Sequence, residues 1–89
     1  MKADTIELVN AAYKLLALLY DNQVTIKGET YCPLSQDEMA ESINTTRTTI
    51  NTYLIKLKEL GLLETNVGKS KKYILTDRAI QIVEKFENI

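Results

Sequence analysis

The stretch Ser35–Gly61, SQDEMAESINTTRTTINTYLIKLKELG, reads as two short helices joined by a tight turn. Ser35 with Glu38 three residues on is a capping box: the Ser hydroxyl takes an orphan amide, and the Glu carboxylate reaches back to the cap. Met39, Ala40 and Ile43 then share one face, which predicts a helix from about Ser35 to Ile43. Asn44 suits the left-handed conformation that ends such a helix. A second helix begins at once, with Thr46 as N-cap and Arg47 in its first turn, and it stops at Leu60-Gly61 on a glycine C-cap. Its apolar residues Ile50, Tyr53, Leu54, Leu57 and Leu60 recur at offsets of three and four. Two helices joined by so short a turn pack at a steep angle, as a helix-turn-helix.

Within this stretch, Asn44–Tyr53 (NTTRTTINTY) contains five threonines in ten residues. Threonine is a mediocre helix former because its branched Cβ restricts χ1. On a wheel with steps of about 100° the buried face centres on Ile50, Leu54, Leu57 and Tyr53. The opposite face receives Thr48, Thr52, Ile55 and Glu59, with Asn51 and Lys56 on its flanks, and the N-terminal end adds Thr45, Thr46, Arg47 and Thr49. That end of a recognition helix is the part that enters a DNA major groove. There a threonine offers a hydroxyl to phosphates or base edges and a methyl to thymine; Asn51 suits adenine, and Arg47 suits guanine or phosphate. Short side chains allow close approach, and the helix's first amides favour a nearby phosphate. The competing reading is a plain solvated face in a threonine-rich chain. Ile55 fits either contact with DNA methyl groups or contact with a second subunit.

Outward from this core, Asp4 to about Asn22 carries Ile6, Val9, Ala12, Tyr13, Leu16, Leu19 and Tyr20 at helical offsets, widened by Leu15 and Leu18. A helix apolar over so much of its girth is buried on more than one side, and the second side suits another subunit. Gln23–Thr30 reads as a loop, and Tyr31–Leu34 as a short edge strand that tolerates Pro33. After Gly61, Leu62 and Leu63 and then Tyr73, Ile74 and Leu75 flank a turn containing Gly68, a β-hairpin with a basic tip. Thr76 or Asp77 caps a last helix with Ala79, Ile80, Val83 and Phe86 in its apolar stripe. The expected fold is mainly α with a small β-hairpin: a single winged helix-turn-helix domain, 1–89, in the order α-β-α-α-β-β-α.

Charge supports a nucleic-acid partner although the net value is −1. From Thr45 to Tyr73 six basic residues face two acidic ones, a balance of +4, while the remainder holds five basic and ten acidic, or −5. Lys69, Ser70, Lys71 and Lys72 in the wing would meet the DNA backbone, a contribution independent of sequence. VGKS is no phosphate-binding P-loop, since the first glycine of that motif would fall at Leu63. Cys32 is the sole cysteine and histidine is absent, so neither an internal disulfide nor a cysteine–histidine zinc site can form. Cys32 reads as a small buried hydrophobe. Asp37, Glu38 and Glu41 have no histidine or serine partner arrangement, so neither enzyme chemistry nor a cofactor is expected. No secretory leader or membrane span is visible, which points to the cytoplasm.

The C-terminal run ETNVGKSKKYILTDRAIQIVEKFEN resembles the wing and last helix of the TubR family, centromere-binding adaptors of plasmid and phage type III partition systems. The likeness lies in Glu64-Thr65, in Val67–Tyr73, in the cap Leu75–Asp77, and in Ile82–Phe86. It implies a homodimer on clustered DNA repeats and a tubulin-like GTPase partner that carries the nucleotide chemistry. By motif match it assigns Lys69, Ser70, Lys71 and Lys72 to DNA; the recognition-helix residues follow from position alone. MarR- and ArsR-type regulators also have a basic wing and an LTxxG-like helix start, but here Ala79 stands at that glycine. A small winged-helix transcriptional repressor on a promoter operator is therefore the alternative function. A winged helix used only for protein contact is a third reading, against which the basic tip and threonine face count. Surplus apolar surface on the first and last helices predicts the dimer contact.

Overall fold

The computed structural model describes residues 2–66 and 72–87, with side chains over 11–65 and 72–85. Helix α1 (Lys2–Asp21) buries Ala12, Leu15, Leu16 and Leu19, a stripe at helical spacing. Across it runs α3 (Arg47–Glu59), which contributes Ile50, Leu54 and Leu57 to the same cluster. Helix α2 (Gln36–Ser42) adds Met39 and Ala40. Leu62, Leu63, Tyr73, Leu75, Ala79 and Val83 complete this core, which contains no buried charged or polar residue among those described. Among the described residues no helix is long and apolar enough to cross a membrane.

Local chemistry sets the helix ends. Ser35 caps α2: the Glu38 N–H donates to Ser35 Oγ at 3.1 Å, and the Ser35 N–H donates to Glu38 Oε1 at 2.9 Å. The Ser35 N–H bond, followed by the Ser35 hydroxyl, holds the Glu38 carboxyl below its ordinary pKa. The α2 end is a Schellman motif: Asn44 takes φ +56°, its N–H donates to Glu41 O, and the Thr45 N–H donates to Ala40 O at 2.8 Å. The same device ends α3. Gly61 takes φ +74°, its N–H donates to Lys58 O, and the Leu62 N–H donates to Leu57 O at 2.9 Å. Leu57 and Leu62 are both buried, the apolar contact that accompanies the motif.

The strands depart from expectation in one place. Gln23–Thr30 is not a loop: β1 (Val24–Ile26) pairs antiparallel with β2 (Glu29–Tyr31), with Ile26 opposite Glu29. The two turn residues, Lys27 and Gly28, have φ +53° and +80°, the signature of a type I′ turn whose twist matches the strands. Strands of three residues are too short to show alternation, and Lys is not a residue type that announces this turn. The strand expected over Tyr31–Leu34 accordingly lies earlier, with Tyr31 as its last residue and Cys32 in an isolated bridge.

The wing hairpin is formed by β3 (Leu63–Asn66) and β4 (Lys72–Leu75), with Leu63 opposite Leu75. Cys32 ties the two hairpins together: its N–H donates to Tyr73 O at 2.8 Å, and the Tyr73 N–H returns to Cys32 O at 3.3 Å. The Cys32 side chain is fully buried, and burial pushes its thiol pKa up, reinforced by Glu38 and opposed by a backbone hydrogen bond at Leu34. Last comes α4 (Asp77–Glu87), capped by Thr76 rather than Asp77. Thr76 Oγ1 accepts from the Ala79 N–H at 3.3 Å and donates to Gly61 O at 2.9 Å, so one hydroxyl joins the end of α3 to the start of α4.

Candidate nucleic-acid interface

Helix α3 carries its apolar face into the core and leaves the opposite face in solvent. Thr48, Asn51, Thr52, Ile55 and Glu59 are exposed, while Lys56 at the flank is half-buried. Ile55 keeps 47% of its surface exposed, one of few large apolar residues to do so among those described. At the N-terminal end Thr46 and Arg47 are exposed, and Thr45 and Thr49 half-buried. Of the eight residues expected from the sequence, Thr45 precedes the cap, Thr46 is the cap, and the other six lie at the start and along one side of α3.

The threonines do not all present hydroxyls outward. Thr46 Oγ1 accepts from the Thr49 N–H at 3.2 Å, as its cap role requires, and its hydroxyl lies 3.0 Å from Thr49 Oγ1. Thr52 Oγ1 donates back to Thr48 O at 3.2 Å. Three of the five hydroxyls are therefore engaged within the helix. Thr48 and Asn51, among the described residues, make no side-chain hydrogen bond inside the protein.

The two helix N-termini of the motif are charged differently. The first turn of α2 holds Asp37 and Glu38, whereas that of α3 holds no acidic residue. Carboxylates offset the partial positive charge of the first, and the second is left open to an external anion. Arg47 stands beside it, 3.9 Å from Asp37, with both side chains largely in water. An exposed pair at that distance contributes little stability and gives way to a stronger partner.

Within the wing, Lys69, Ser70 and Lys71 lie outside the described residues. Lys72, at the root, is placed differently from a free surface lysine. Its Nζ sits 3.4 Å from Glu29 and 4.7 Å from the centre of the Tyr31 ring, so its charge is already matched by β2. Gln36 Nε2 donates to the Tyr73 hydroxyl at 3.3 Å, which connects the wing root to α2 as well. Sequence reasoning passed over Asp37, Glu29 and Tyr31 as partners of these cations. Asp37 is ten positions before Arg47 and Glu29 is far from Lys72 in the chain, so no local pattern pairs them.

This geometry agrees with what the chain resembles. The family model described as Crp-like helix-turn-helix domain matches residues 11–80. Among solved structures, TubR of Bacillus thuringiensis serovar israelensis bound to 24 bp of tubC aligns with TM-score 0.67 at 28% identity, over 97% of this chain and 88% of that one. Staphylococcus aureus MepR in its DNA complex aligns with TM-score 0.69 at 22% identity, over 99% of this chain and 73% of that one. Lactococcus lactis ZitR aligns with TM-score 0.65 at 17% identity, over 86% and 49%. The last two likenesses are of fold, and the chain spans about half of ZitR's length. No curated protein sequence matches.

Proposed function

The chain belongs to the Crp-like helix-turn-helix domain family, and from that premise we propose that it is a homodimeric, sequence-specific DNA-binding protein acting as a partition adaptor. The observation that carries the DNA reading is the exposed face of α3, where Thr48, Asn51 and Thr52 stand beside Arg47 at a helix N-terminus free of acidic residues. In the major groove Thr45, Thr46, Arg47, Thr48, Thr49, Asn51, Thr52 and Lys56 supply base and backbone contacts, while Lys69, Ser70, Lys71 and Lys72 of the wing add phosphate contacts. Two copies related by a two-fold axis, joined through α1 and α4, place two such helices on one duplex.

The adaptor role rests on the likeness to TubR, which covers nearly the whole of both chains and is supported by the wing and last-helix motif. In that role the dimer marks an array of DNA repeats and presents its outer surface to a tubulin-like GTPase. The fold likeness to MepR in its DNA complex favours a second reading, a transcriptional repressor on a promoter operator. A footprint on the DNA flanking the protein's own gene, at about physiological salt, separates the two. Protection over an array of short repeats is the expected result. A single two-fold site over the promoter assigns the repressor role instead, and no protection removes DNA binding altogether.

A further inference from the structure

Thr52 and Ile55 lie three residues apart on the exposed face of α3, and each has methyl groups to offer. The Thr52 hydroxyl proton is committed to Thr48 O at 3.2 Å, which leaves the methyl, and the oxygen only as an acceptor, free to meet a partner. Ile55 has no polar atom to offer and keeps 47% of its surface in water. Offsets of three place the two side chains as neighbours on the helix surface. Half-buried Lys56 lies on one flank of this apolar strip, exposed Lys58 on the other and Arg47 at the leading end, while the acidic Glu59 stands one turn beyond Ile55 at the far end. An apolar strip bordered by cations suits the floor of a groove whose walls are phosphates.

We infer that α3 reads the 5-methyl groups of thymine in the major groove through the Thr52 methyl and Ile55. This rests on the DNA-binding reading and names what part of the DNA is recognised. Of the base-edge features in the major groove, the thymine methyl is the one that apolar side chains distinguish. With its proton engaged within the helix, the Thr52 hydroxyl cannot donate to a base edge and can only accept there. Burying one methyl group is worth roughly a fourfold change in affinity. Asn51, exposed on the same face, is chemically suited to the adenine that pairs with such a thymine.

Uracil differs from thymine only in lacking this methyl, so the test uses two duplexes of the same flanking DNA, one prepared with thymine and one with uracil. Dissociation constants are measured for the full chain and for Thr52→Ser, Thr52→Val and Ile55→Ala. The full chain is expected to bind the uracil duplex more weakly, by roughly fourfold for each methyl contacted. Thr52→Ser keeps the hydroxyl and loses the methyl, so it should lose part of the discrimination; Ile55→Ala should do the same. Thr52→Val keeps the methyl and should discriminate as the full chain does. Equal affinity for both duplexes overturns the inference and leaves DNA binding intact. So does discrimination that Thr52→Ser and Ile55→Ala leave unchanged, which would locate the effect in DNA shape. Binding to neither duplex overturns the DNA reading and this inference with it.

Discussion

The helix-turn-helix and the strand layer behind it are stabilised in different ways. From Ser35 to Leu62 nearly every end is closed by a bond between residues three to five apart: the capping box, the Thr46 cap, and the two Schellman motifs at Asn44 and Gly61. The two hairpins of the strand layer are joined to each other and to α2 by partners far apart in the chain. Cys32 bonds Tyr73, Lys72 pairs with Glu29, and Gln36 reaches the Tyr73 hydroxyl. The first region therefore carries its geometry with it, and the second acquires its geometry by docking. A reading helix requires fixed side chains, whereas a wing root requires only a stable anchor.

The largest expected effect joins both regions. Leu57 is buried, belongs to α3 and stands in the motif that leads into the wing. Leu57→Ala should cost ~2–5 kcal/mol in chemical denaturation and weaken hydrogen-exchange protection in helices and strands alike. If strand protection survived unchanged, the two regions would not share one core.

A smaller effect isolates the helical region. Thr46→Ala removes the cap of α3 and should cost ~0.5–2 kcal/mol, with amide protection lost at the start of α3 while the Cys32–Tyr73 bridge is spared. Its neighbour has a pH signature. The Glu38 carboxyl has a lowered folded-state pKa, so its contribution is present above the unfolded value and disappears as pH falls through the folded one. The stability difference between the parent chain and Glu38→Gln should shrink on acidification through the carboxylate range.

The smallest effect isolates the strand layer. Glu29→Gln removes the partner of Lys72 in a pair partly open to solvent, worth ~0–1 kcal/mol. Faster amide exchange at β4 with α3 unaffected would sharpen the contrast, and equal change in both would erase it.

The same division explains what was legible from the sequence. Ser35 with Glu38, Thr46, Asn44 and Gly61 are local signals, and each occupies the place its residue type implies. The side of α3 that faces water follows from the same periodicity. What escaped depends on distance along the chain or on an uncommon conformation. Lys27 takes the left-handed turn position usually filled by Asn, Asp or Gly, and so the first hairpin looked like a loop. The direction of the Thr52 hydroxyl also could not be read from residue type, because threonine in a helix has two favoured rotamers.

Arg47 and Lys72, two cations of the proposed DNA surface, already pair with carboxylates, Asp37 at 3.9 Å and Glu29 at 3.4 Å. In the proposed complex, docking would be an exchange reaction for these two cations: a phosphate would displace a carboxylate of the protein, not only ions from solvent. Neutralising a phosphate with a free cation releases about 0.9 of a condensed counterion. The exchanged carboxylate regains some ions of its own, so the net release is smaller. Phosphates counted from the slope of affinity against salt would then fall short of the phosphates touched. In that reading the same exchange would damp attraction to any polyanion that offers charge without geometry, and so would bias the free protein against indiscriminate binding.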